Sequence, residues 1–160
     1  MKLANLSGKK IAIMVASGFD EATFVVIQRA MMEAEAKLII VSQEAGLTNA
    51  WRETGWGMSY PADARLSTVL AIDYDGLIIP AGKRHIDTLK NEAHAKRVLR
   101  AFLREDMPVL IQGDASALLQ LVNGAKNRPH AAASDGGGAP VVDGRLVTTG
   151  AARDDLAELE

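Results

Sequence analysis

The chain has 160 residues and a formal net charge of −2, with 48% hydrophobic and 24% charged residues. This mixture suits one globular domain, taken here as residues 1–160, and excludes disorder as the main state. Zero cysteines exclude disulfides, thiolate metal sites and thiol nucleophiles, while 18 basic against 20 acidic residues give no reason to expect a nucleic-acid partner.

No apolar run approaches the ~18 residues of a membrane span, so no membrane partner is expected. Met1–Lys10 lacks a secretory apolar core, and the expected compartment is the cytoplasm. Lys9–Ala16 (KKIAIMVA) is a short apolar run that reads as a buried strand, and Ser17-Gly18-Phe19-Asp20 as the turn after it. From Glu21 to Ala36 apolar residues recur at Phe24, Ile27, Met31 and Ala34, which predicts a helix with Asp20 as N-cap and Glu21 set against the helix dipole. Lys37–Ser42 is a second strand, completing a βαβ unit.

Gln43–Tyr60, with Trp51 and Trp56, is polar and glycine-bearing and has room for a short hairpin. Gly76–Pro80 is a third strand, stopped by Pro80-Ala81-Gly82. Asn91 is positioned to cap a helix over Glu92–Glu105, with Val98, Leu99, Phe102 and Leu103 inside. Pro108–Gln112 is a fourth strand, followed by a turn at Gly113-Asp114 and a helix over Ala115–Val122. Val141–Val147 reads as a hairpin around Asp143-Gly144, and Asp154–Leu159 as a last helical turn or two. Alternating strands and helices, with strands apolar on both faces, predict an α/β fold with a mainly parallel sheet covered on both sides.

Ligands of such sheets bind beyond the carboxyl ends of the strands. The loops Gly18-Phe19-Asp20, Pro80-Ala81-Gly82 and Gly113-Asp114 should meet there. Helix N-termini at that edge favour a carboxylate or oxyanion.

Lys10–Ser42, Tyr74–Gly82, Pro108–Leu119 and the Val141–Arg145 hairpin together resemble the ThiJ/PfpI (DJ-one) superfamily, whose fold is a flavodoxin-like three-layer sandwich, class I glutamine amidotransferase-like. The resemblance implies a homodimer, and a nucleophilic cysteine at the elbow after the fourth strand. In this chain Gly113 takes that position and Asp114 the one after it. The family's helper glutamate aligns with Asp20, and its Pro-Gly-Gly turn, which lends an N–H to the oxyanion hole, reads Pro80-Ala81-Gly82. Protease, deglycase and glyoxalase chemistry therefore lacks its attacking atom. The C-terminal domains of large-subunit catalases share this fold and typically lack the cysteine, and the chain resembles a free-standing version of them.

The expected reading is a non-catalytic relative with a vestigial pocket at Asp20, Gly82, Gly113 and Asp114 for a small anion, and a stress-associated role by analogy. Two alternatives stay open: a hydrolase, hydratase or isomerase using Asp20 and Asp114 as paired carboxylates, or a module that docks on a larger enzyme such as a catalase. Each site residue also has a plainer role. Asp20 and Asp114 suit helix caps. Lys83-Arg84-His85 can meet an anion at the pocket mouth or form a solvated loop. Ser116 lacks the surroundings of a serine nucleophile, and no spacing ties it to His85 or His130. His85, His94 and His130 are too scattered to mark a metal site, and no cofactor is expected. The tryptophans suit a dimer face or a lid. Gly136-Gly137-Gly138 follows no strand and opens no helix, so it fails the context of a phosphate loop.

Overall fold

Ile, Val and Leu on both faces of four short runs lead to one sheet buried on both sides. In a computed structural model, which describes residues 6–43, 46–121, 141–143 and 146–149, β1 (Lys10–Val15), β3 (Lys37–Ser42), β6 (Ala64–Arg65), β7 (Gly76–Ile79), β8 (Val109–Gln112), β9 (Val141–Asp143) and β10 (Leu146–Thr149) form a seven-stranded sheet in the order β6-β3-β1-β7-β8-β10-β9. All neighbours run parallel except the hairpin partners β9 and β10. Central β1 sets the register, with Ile13 opposite Ile40 on one side and Ile78 on the other. This is the flavodoxin-like α/β architecture expected of the sequence.

The pleat sorts the strand residues into two cores. Ala12, Met14, Leu77, Ile79, Val109 and Ile111 face the side covered by α2 (Lys83–Leu89) and α3 (Ala93–Arg104). Ile11, Ile13, Val15, Ile78 and Leu110 face Phe24, Ile27 and Met31 of α1 (Glu21–Glu33). Burying each of these large aliphatic side chains contributes about 1.5–3 kcal/mol.

Several local expectations change. The loop after β1 is not only a turn: Phe19–Asp20 forms β2, which pairs parallel with β4 (Leu47–Arg52), and β4 pairs antiparallel with β5 (Gly55–Pro61) in a second, three-stranded sheet. The Gln43–Tyr60 region thus holds the hairpin foreseen for it. Helix α1 stops at Glu33 rather than Ala36, because Glu35 takes a positive φ of 63° to turn the chain into β3. Lys83-Arg84-His85 opens α2 instead of forming a loop. Glu92, not Asn91, caps α3 by accepting from the His94 amide at 3.0 Å, while Asn91 donates its side-chain amide to the Asp87 carbonyl at 3.1 Å. The helix placed at Ala115–Val122 is a 3-10 run over Gly113–Leu121. Short 3-10 turns at Leu66–Thr68 and Ala71–Asp73, which leave no periodic signature, join β6 to β7. Readings that placed His130, the Ala131–Gly138 loop, the Gly144-Arg145 turn and the Asp154–Leu159 helix lie outside the described residues. No helix among the described residues is long and apolar enough to cross a membrane.

Candidate functional site

The three loops expected at the strand ends do come together. Gly82 is the hub: its φ of +140° is open only to glycine, and a Cβ there would sit 2.8 Å from Asp20 N, Gly18 O and Phe19 Cα. The Asp20 amide donates to the Ala81 carbonyl at 2.9 Å. The Gly82 amide donates to Asp114 Oδ1, also at 2.9 Å. Gly18 leaves no room for a side chain beneath Arg84, and its amide donates to Asn49 O at 2.8 Å, tying the same loop to the hairpin.

Asp20 is the N-cap of α1. Its Oδ2 accepts from the Thr23 amide at 3.0 Å and from the Thr23 hydroxyl. Asp114 lies in the first turn of the 3-10 run and reaches across to Gly82, the residue that precedes α2. Gly113 has a φ of +56°, so the bend after β8 keeps a left-handed elbow without a side chain. A Cβ on Gly113 would lie 3.0 Å from the Ala81 methyl. Gln112, just before the elbow, is 1% exposed, and its Oε1 has no hydrogen-bond partner.

His85 was expected at the pocket mouth and instead lies wholly inside. Its Nε2–H donates to Pro80 O at 2.6 Å, and its Nδ1 accepts from the Ala16 amide at 3.3 Å. The ring bridges the ends of β1 and β7. Both partners suit one neutral tautomer. Burial pushes the imidazole down to about 4, against smaller opposing effects of the Pro80 carbonyl and Asp20. A base with both nitrogens engaged has no lone pair to offer a substrate. Lys83 and Arg84 are exposed. Arg84 spends its charge on an aromatic face, its guanidinium 4.0 Å from the Trp51 ring centre, while Trp51 and Trp56 meet edge-on at 5.1 Å. The tryptophans therefore form a hairpin cluster with Arg84. Ser116 is buried at 4% exposure, and among the described residues no three His, Asp or Glu side chains converge as a metal site would require.

Glu21 has a second role that sequence reasoning missed. Beyond its place in the first helical turn, it is buried, and its carboxylate accepts from the Met58 amide at 2.6 Å and from Arg52 Nε at 2.5 Å. The Met58 amide and then Arg52 hold its carboxyl below the usual range, with burial opposing. Glu21 thereby clamps the hairpin onto α1. Gly57, whose Cβ would collide with this carboxylate, is the sequence signal that could have found it.

A left-handed elbow after β8, Pro80 at the end of β7 and the Asp20 carboxylate after β1 thus meet at the strand ends of a mainly parallel α/β sheet. The DJ-1/PfpI family profile matches residues 9–159, and the chain belongs to that family. It is 30% identical over 94 residues to Catalase HPII of Pseudomonas putida, spanning 59% of this chain and 13% of that protein. It is 28% identical over 102 residues to General stress protein 18 of Bacillus subtilis (strain 168), spanning 64% of this chain and 58% of that protein. Neither of these relatives is covered over two thirds of its length. Among solved structures, oxidized Toxoplasma gondii DJ-1 superposes with a TM-score of 0.74 at 20% identity, covering 89% of this chain and 82% of that one.

Proposed function

We propose that this chain is a non-catalytic DJ-1/PfpI protein whose strand-end site is filled from within. The observation that carries this reading is the 2.9 Å bond from the Gly82 amide to Asp114 Oδ1, beside an elbow whose residue, Gly113, has no side chain. The nucleophile's position offers no attacking atom. The N–H that would stabilise an oxyanion already holds a carboxylate, so an incoming anion must displace it. The Ala81 methyl further narrows the space above the elbow. The anion foreseen for this pocket is thus supplied by Asp114 itself. A stress-associated role, a cytoplasmic location and a homodimer belong to the same proposal, the first by analogy with the stress protein above.

The carboxylate-enzyme alternative weakens on this geometry, because Asp20 is engaged as the cap of α1 and Asp114 with Gly82. A second reading, a module docked on a larger enzyme, draws on the likeness to a catalase segment and on Leu47, Trp56 and Met58, exposed on the hairpin at 69%, 57% and 58%.

Turnover assays with methylglyoxal and chromogenic esters test the main reading. The expected rate equals the buffer background for the wild-type protein and for Asp20→Asn and Asp114→Asn alike. Turnover by the wild type that either substitution abolishes overturns it.

A further inference from the structure

We infer that the outer face of α3 is a docking surface for an acidic protein segment that also carries aliphatic side chains, an interaction separate from the strand-end site. Within α3 the sequence AHAKRVLRAFLR contains four Lys or Arg residues and no acid. At 3.6 residues per turn, Lys96, Arg100, Arg104 and Arg97 fall within an arc of roughly 100°. The buried Ala95, Val98, Leu99 and Phe102 occupy the opposite face.

The cations are poorly compensated. Arg104 has only its neighbour Glu105, at 3.6 Å, and no ion pair reaches Lys96, Arg97 or Arg100 among the described residues. Arg97 is held in place by donating to Leu66 O at 2.8 Å. Arg100 Nε is buried with no hydrogen-bond partner. Lys96 with Arg100, Arg97 with Arg100, and Arg100 with Arg104 are like-charge pairs at i,i+4 or i,i+3, and each destabilises the isolated helix. A face that served solvation alone would gain from acids interleaved at those spacings.

Exposed apolar residues lie on the segment that Arg97 ties to α3. The Leu66–Asp73 segment packs along α3, and from it Leu70 and Ile72 project at 54% and 81% exposure. This combination selects among occupants. A second copy of the chain docked face to face would oppose cation with cation. Nucleic acid would meet a protein of net charge −2 and has no use for Ile72. An acidic segment with Leu or Ile side chains satisfies both features.

The test measures binding of a labelled synthetic helical peptide rich in Glu and Leu by fluorescence anisotropy, beside polyglutamate, a DNA duplex and phosphatidylserine vesicles. The peptide is expected to bind more tightly than all three, and to weaken about tenfold between about 50 and 300 mM salt. Lys96→Glu/Arg104→Glu should lower its affinity about tenfold, and Ile72→Ser about threefold. Lys96→Glu alone should melt no lower than the wild type, because it gives Arg100 a carboxylate at i,i+4, and its loss of affinity separates lost binding from lost folding. Binding of the peptide no tighter than polyglutamate, equal binding by the charge-reversed protein, or tighter binding to the duplex or vesicles overturns the inference.

Discussion

The strand-end cluster and the outer face of α3 handle charge in opposite ways. At the strand ends, where an open α/β sheet is expected to present its chemistry, the polar groups answer one another apart from Gln112 Oε1. Asp114 takes the Gly82 amide, Asp20 takes Thr23, and His85 joins Ala16 to Pro80. On α3, Lys96, Arg97 and Arg100 have no acidic partner within ion-pair distance among the described residues. A family site is recognised by where its loops meet, but its capacity for chemistry depends on which groups are left without a partner. Here the surplus of charge lies on α3, away from the strand ends.

If the strand-end cluster is a self-satisfied structural unit, damage there should appear first in stability. Gly82→Ala should have the largest effect, on the order of 4 kcal/mol in urea unfolding, because it combines a strained φ with backbone overlap on the β1–α1 loop. His85→Leu should follow at about 3 kcal/mol, leaving a buried amide and a buried carbonyl unpaired. The same imidazole sets a pH dependence. The unfolded chain takes up a proton near pH 6.5 and the folded chain only near 4, so the unfolded state binds more protons between those values. Stability is therefore full above pH 6.5 and falls by roughly 3 kcal/mol as pH drops to 4. His85→Leu should flatten that window in unfolding curves taken at several pH values. Glu21, held low, withdraws its contribution only as pH falls below its ordinary 4.5.

Gly113→Cys should cost about 2 kcal/mol from its left-handed φ and the Ala81 contact, and adding Ala81→Gly should recover about 1 kcal/mol. A cycle without coupling would remove Ala81 from the account of the closed elbow. The smallest effect reverses sign on the other region. Lys96→Glu should stabilise by a few tenths of a kcal/mol, read as a small rise in Tm, because it pairs with Arg100 at i,i+4.

The sheet was legible because β1, β3, β7 and β8 are unbroken apolar runs bounded by glycine, proline or polar residues, and α1 and α3 carry clear helical periodicity. The meeting of Gly18–Asp20, Pro80–Gly82 and Gly113–Asp114 followed from the rule that loops gather at strand ends. The partners of each side chain did not follow. Asp114 reaches a residue 32 positions earlier and Glu21 one 37 positions later, and local spacing carries no trace of such contacts. His85 stands among charged residues, but its third-residue place in α2 turns it inward, a rotation that a loop reading could not supply. Phe19–Asp20 is too short to declare itself a strand and exists as one only because β4 lies beside it.

The central claim, that Asp114 occupies the Gly82 amide in place of an external anion, is tested most directly by NMR of that single N–H. In the wild type the Gly82 amide should be protected from exchange and should not respond to added acetate. In Asp114→Ala it should lose protection and shift on titration with acetate. A wild-type amide that shifts with acetate as readily as the variant's, or protection unchanged by the substitution, would contradict the account.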